Sequence, residues 1–132
     1  MTYALNLLRN HGLNQDGLQR VFQAKVVSRI TYASPSWCGM ASNEEHRRID
    51  AFLNKSKKFG YYPADSKNFQ ALWDTTDQRL FIKIQNNPQH VLYKLLPDKK
   101  HTTYDLRRRG HDFNLPVKDD RNFINRTLYK FI

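Results

Sequence analysis

With 132 residues the chain fits one domain, and a chain of this size buries roughly two-thirds of the surface its unfolded form exposes. Lys and Arg number 22 against 12 Asp and Glu, a net charge of +10 that favours an anionic partner, with nucleic acid the first candidate. The single cysteine, Cys38, rules out an internal disulfide, and the absence of Cys/His clusters at ligand spacing rules out a zinc finger. Short apolar runs give neither a membrane span nor a signal peptide, so the expectation is an intracellular protein, nuclear or cytoplasmic, with no membrane partner.

Helical signals dominate from the start. Leu5 and Leu8 stand three apart and Gly12 comes after them, which predicts a short helix over 2–11. Asn14 can cap a second helix whose apolar positions, Leu18, Val21, Phe22, Val26, Ile30 and Ala33, recur at helical steps until about Ser34, where Pro35 stops it. Ser42 with Glu45 forms a capping box for a third helix. Glu44 and Glu45 complement its positive end, and Lys55, Lys57 and Lys58 its negative end before Gly60. Ile49, Phe52, Leu53 and Phe59 make the expected buried stripe, and Glu44 with Arg48 has the spacing of a surface ion pair.

After Tyr61, Tyr62 and Pro63, Ser66 is expected to cap a short turn with Phe69, Leu72 and Trp73. Thr75 with Gln78 repeats the capping-box spacing for a helix through Leu80, Phe81 and Ile84. Asn87 and Pro88 predict one more helix, with Val91, Leu92, Leu95 and Leu96 on its apolar side and Pro97 as its limit. No periodicity survives over 98–118, and a last helix is expected from Asp119, carrying Phe123, Ile124, Leu128 and Phe131. The fold expected is all-α: an irregular bundle of about six helices over 1–97, an extended basic segment over 98–118, and a carboxyl-terminal helix over 119–132.

Catalytic groups are not legible. The only adjacent aspartates, Asp119 and Asp120, lack the preceding aromatic and the hairpin of a polymerase metal site, and capping a helix start suits them better. The five histidines, His11, His46, His90, His101 and His111, occur singly and read as surface or capping residues. Five scattered glycines build no phosphate loop.

The cations carry more. At ~100° per residue Lys25 and Arg29 fall within the apolar arc of the second helix. A charge there needs an acidic partner such as Glu44, Glu45 or Asp50, a stem that reaches water, or a backbone phosphate. Lys57 and Lys58 are accounted for by their helix end. Arg107, Arg108 and Arg109 have no comparable structural duty: they read as a solvated charge run or, flanked by Tyr104, His111 and Phe113 that could stack on bases or sugars, as a nucleic-acid contact. The excess charge is uneven: 9 basic against 4 acidic residues over 99–132 supply +5 of the +10.

The string SRITYASPSWCG at 28–39, with LLRNHGL at 7–13 before it and RIDAFLNKSKKFGYYP at 48–63 after it, resembles the end of the polymerase protein of jockey-like, LINE-type non-LTR retrotransposons. LFIKIQNNPQHVLYKLLP at 80–97, YDLRRRGHDFNLP at 104–116 and NFINRTLYK at 122–130 resemble the same tail in the same order, so the similarity covers nearly the whole chain. Cys38 and Met40 depart from it, standing where aromatics are expected after Trp37.

The resemblance implies a thumb with a carboxyl-terminal helical extension, a region that grips the template-primer duplex. The catalytic palm and the endonuclease of such a protein would lie before Met1, so the expectation is a non-enzymatic fragment or decayed copy without a cofactor of its own. The parent RNA-directed DNA polymerase would use Mg2+ through residues absent here. Expected partners are that palm and RNA or RNA/DNA hybrid, bound weakly and without sequence preference. The candidate contacts are Lys25, Arg29, Lys57, Lys58, Arg107, Arg108 and Arg109. The alternative is a small basic helical interaction or structural protein, or a relic without function.

Overall fold

A computed structural model describes residues 2–101, 103 and 110–132. In chain order it contains α1 (Thr2–Asn10), α2 (Gln15–Phe22), a π-helical turn (Gln23–Val27), α3 (Ser28–Thr31), α4 (Ser34–Trp37), α5 (Asn43–Lys58), α6 (Phe69–Gln85), a 3-10 turn (Tyr93–Leu95) and α7 (Phe123–Lys130). The described residues hold no strand, only an isolated antiparallel bridge between Lys99 and Phe113. The fold is all-α, as the apolar periodicity predicts. Two units are distinguishable, Met1–Ser34 with Ala41–Trp73, and Pro35–Met40 with Asp74–Ile132.

In the first unit the Asn14 side chain accepts the Gly17 amide at 2.8 Å and starts α2 as expected. Beyond Phe22 the regular helix expected from the periodicity gives way. The Ser28 amide bonds to the Gln23 carbonyl, five residues back, so the turn over Gln23–Val27 holds one residue more than an α-helical path. That residue rotates everything after it by about 100° relative to a regular α-helix. Leu18, Phe22, Val26 and Val27 are all buried, and Lys25 and Arg29, expected inside the apolar arc, are exposed.

The helix also ends earlier than expected. Tyr32 leaves helical geometry with ψ 124°, Ala33 takes φ +50°, and both are exposed, so the chain turns before it reaches Pro35. Pro35 instead sits in the first turn of α4, where its missing amide hydrogen costs nothing.

Helix α5 obeys its local grammar. The Glu45 carboxylate accepts the Ser42 amide at 2.7 Å, and the Ser42 hydroxyl accepts the Glu45 amide at 3.2 Å. The Ser42 amide first, and then the Ser42 hydroxyl, hold the Glu45 carboxyl below its ordinary pKa. Leu53 is buried, Ile49 and Phe52 half-buried, and the Phe22 ring packs on Phe52 and Tyr62 at 6.2 and 5.4 Å between centroids. Burying a ring such as Phe22 contributes ~1.5–3 kcal/mol. Phe59, expected in the buried stripe, is exposed, and the Glu44–Arg48 ion pair is not formed.

The two elements expected after Ser66 are one helix. Asp50 accepts the Phe69 amide and Asn68 the Ala71 amide, each at 2.9 Å, so the first orphan donors of α6 are satisfied there and Thr75 lies in the helix interior.

The second unit has its own core: Phe81, Ile84, Phe113, Ile124 and Leu128, with Leu92, Leu96 and Phe131 against it. The helix expected from Asn87 reduces to turns. Asn87 accepts the Gln89 amide through its side chain at 3.0 Å, and the His90 ring accepts the Leu92 amide at 3.1 Å. The first is the bond expected of a cap; the second competes with the helical ladder, and the chain continues in tight turns, His90 N–H to Asn87 O and Tyr93 N–H to His90 O, both at 2.9 Å. The last helix begins four residues later than expected. Asp119 spends its carboxylate on the Arg121 amide at 3.0 Å, and Asn122 caps α7 by accepting the Ile124 and Asn125 amides.

The same unit buries an ion pair that the sequence does not reveal. Arg126 on α7 forks onto Asp77 of α6, Nη2 to Oδ1 at 3.2 Å and Nε to Oδ2 at 3.3 Å, while Nη2 also donates to the Pro35 carbonyl at 2.8 Å. A Cβ at position 39 would touch the Arg126 guanidinium and come within 2.6 Å of the Asp120 carbonyl, so Gly39 is required by close approach.

Candidate nucleic-acid interface

Within the first unit, the carboxyl ends of α1 and α5 bring cations and rings together. The last carbonyls of α5 lack helical partners, and a Schellman arrangement satisfies two of them: Gly60 N–H to Lys57 O and Tyr61 N–H to Ser56 O, both at 3.0 Å. Gly60 makes it possible with φ +78°, a left-handed conformation that a Cβ would strain. Arg9, in the last turn of α1, donates Nη2 to the Phe59 carbonyl and lies 4.6 Å above the Tyr61 ring. The negative end of the α5 dipole is thereby covered by a cation from another helix as well as by its own lysines.

This turn leaves Phe59 46% exposed, its ring 5.9 Å from Tyr61 and 5.9 Å from the Lys55 ammonium. Phe59 and Lys55 line two shallow hollows at once, one completed by Ala51, Asn54 and Lys58, the other by Thr2, Tyr3, Asn6, Arg9 and Tyr61.

The expected contacts fare differently. Lys25 and Arg29 stand exposed on the helix surface, and neither has an acidic partner among the described residues. The acids considered for them are otherwise placed: Glu45 in its capping box, Asp50 on the Phe69 amide, Glu44 exposed. Lys58 is exposed at the first hollow. Lys57 is turned inward, donating to the Ser66 carbonyl at 2.8 Å with its ammonium 5.5 Å over the Tyr62 ring. Burial pushes the Tyr62 hydroxyl up in pKa, and it donates to the Lys67 carbonyl.

Arg107, Arg108 and Arg109, with Tyr104, lie outside the described residues. His111 and Phe113, expected to flank them as stacking surfaces, are buried in the second unit. The His111 Nδ1 accepts the Phe113 amide at 3.1 Å, which leaves Nε2–H to donate to the Leu128 carbonyl, and its ring meets Phe81 edge-on. His111 is thus a core histidine, not a surface one.

Arg9, Lys55 and Phe59 are not legible as a group in the sequence, because Arg9 and Phe59 are fifty positions apart. The one signal available was that LLRNHGL and KKFGYYP are both strings of the resemblance. Neither the protein-family models, nor the curated proteins, nor the solved structures give a match to the chain.

The arrangement offers exposed cations beside an exposed ring face, the chemistry of phosphate and base contact. Among the described residues no group of three or more His, Cys, Asp or Glu side chains is placed to hold a metal ion, and no helix is long and apolar enough to cross a membrane.

Proposed function

We propose that the chain is the thumb and carboxyl-terminal tail of a jockey-like non-LTR retrotransposon reverse transcriptase, and that it contributes sequence-independent contact with template-primer RNA or RNA/DNA hybrid. Six strings in the family's order support the ancestry. The observation that carries the contact is the position of Lys25 and Arg29, turned out to solvent by the π turn with no acid beside them among the described residues. Cations of this kind are free to neutralise phosphates, and a net charge of +10 raises the local concentration of any polyanion. The chain itself is assigned no catalysis. Synthesis would belong to a palm domain and its Mg2+.

The test is a salt titration of binding to an RNA/DNA hybrid. Counterion release gives a log–log slope of about −0.7 to −0.9 for each phosphate neutralised. Absence of binding at low salt removes the contact and leaves the ancestry, which is tested separately by reading the genomic sequence upstream of Met1 for an in-frame paired-aspartate palm motif.

A further inference from the structure

The two hollows that meet at Phe59 are unusual in what they share. An apolar ring this exposed, directly after a helix, gains little from folding and would ordinarily turn inward with Leu53. Here the Schellman turn at Gly60 fixes the backbone on one side, and Arg9 holds the Phe59 carbonyl on the other, so the ring is kept at the surface by its neighbours. Both hollows are walled by Phe59 and Lys55, and each adds an amide side chain, Asn54 in one and Asn6 in the other. Each also adds a second cation, Lys58 in one and Arg9 in the other. Each hollow therefore combines this one exposed ring with a cation for a phosphate and an amide able to donate and accept at a base edge.

We infer that this ridge is a single-stranded nucleic-acid site, in which the exposed Phe59 ring stacks on an unpaired base while Lys55 and Lys58 meet the backbone phosphates. A duplex does not fit this chemistry, because its bases are already stacked and present no free face to a ring. The inference rests on the nucleic-acid reading of the chain and deepens it: Lys25 and Arg29 serve duplex backbone, and the Phe59 ridge serves an unpaired strand. A helix carboxyl terminus would by itself repel phosphate. Arg9 on the Phe59 carbonyl, with Lys55 and Lys58 beside it, removes that objection.

The experiment uses the full chain, a short labelled oligouridine, and an RNA/DNA hybrid as the second probe. Phe59→Leu keeps an apolar side chain and removes the π face. It should weaken oligouridine binding roughly tenfold, leave the salt slope unchanged because stacking releases no counterions, and leave hybrid binding as in the wild type. Lys55→Gln with Lys58→Gln should instead flatten the oligouridine salt slope by about 1.4, at ~0.7 per phosphate on a single strand. Phe59→Trp retains the ring, and its added emission over the Trp37 and Trp73 background should be quenched as the oligonucleotide saturates.

Wild-type affinity in Phe59→Leu, or unchanged emission in Phe59→Trp at saturation, overturns the inference, and the tryptophan variant decides the matter should the leucine variant fail to fold. Hybrid binding without oligouridine binding overturns the inference and leaves the proposed function standing. Failure of the wild-type chain to bind either probe overturns the inference and the proposed nucleic-acid contact together.

Discussion

Arg126 and Asp77 form a buried ion pair across 49 positions of sequence, with side chains 7% and 0% exposed and a shortest N–O distance of 3.2 Å. The fork geometry matches guanidinium to carboxylate, and Lys130 adds a second cation to Asp77 at 3.5 Å and pairs with Asp74. Taking away one member leaves the other charge buried. Arg126→Met should destabilise by about 3–5 kcal/mol in denaturant unfolding. Asp77→Asn should cost less, because Arg126 keeps the Pro35 and Asp120 carbonyls as acceptors. The double variant Asp77→Asn with Arg126→Met should lose less than the two single changes added together. Equal, small effects for both single variants would mean that the pair holds nothing in place.

Cys38 lies in the same unit and is fully buried. Burial first, and then the Asp77 carboxylate, push its thiol from 9.0 up to about 12, against a smaller opposing pull from Arg126 and Lys130. The folded chain therefore keeps the proton at a pH where the unfolded chain releases it. The stabilising contribution is whole below about pH 9 and is lost progressively as pH rises from there toward 12. Compared with Cys38→Ala, which removes the background titration of other groups, the wild type should lose stability more steeply over that window. A disulfide-exchange reagent near neutral pH should label Cys38 only as fast as the chain opens, and at once in denaturant. Immediate labelling of the native chain would contradict the burial.

What the sequence discloses is what neighbouring residues decide among themselves. The Asn14 cap, the Ser42–Glu45 box and the Gly60 stop each depend on side chains within a few positions of the backbone groups they satisfy, and all three are found. The Asn87 and Thr75 signals are of the same local kind and fail for two reasons. At Asn87 the capping bond from the Gln89 amide is made, but the His90 ring takes the Leu92 amide and the chain goes on in separate turns. At Thr75 the helix has already started upstream, where Asn68 locally and Asp50 from a distance satisfy its first amides. Long-range pairings leave no periodic trace, so Arg126 reads as one more surface cation and the Arg9–Phe59–Tyr61 cluster is divided between two distant strings. Lys58 was legible as an exposed cation. Lys57, one residue away, looks identical in sequence and is drawn inward only because Ser66 offers it a carbonyl.

Replacing Lys25 and Arg29 together by Met should weaken binding to RNA/DNA hybrid and reduce the magnitude of the salt slope by about 1.4–1.8, at 0.7–0.9 for each phosphate no longer neutralised. Thermal stability should stay within about 0.5 kcal/mol of the wild type, because both side chains are exposed, neither has an acidic partner among the described residues, and Met has a helix propensity close to those of Lys and Arg. A large stability loss with unchanged hybrid affinity would reject the phosphate role for this pair.

The π turn supplies the strongest test of why those two cations face outward. Reading Leu18, Phe22, Lys25 and Arg29 at a uniform ~100° per residue puts the charges on the buried side. One extra residue within Gln23–Val27 carries them off it and brings Val27 into the core beside Val26. Deleting exposed Gln23 should convert the turn to regular α-helix without altering which side chains are buried, since every residue after the turn keeps its phase relative to α2. The deletion variant should melt at the wild-type temperature or above it. Deleting Gln19 instead, within regular α-helix, rotates everything between it and the turn by about 100°, brings Phe22 out of the core, and should unfold the first unit or cost several kcal/mol. Circular dichroism melts of the two variants separate the cases. Comparable losses in both would mean that the π turn does not set the phase of this helix.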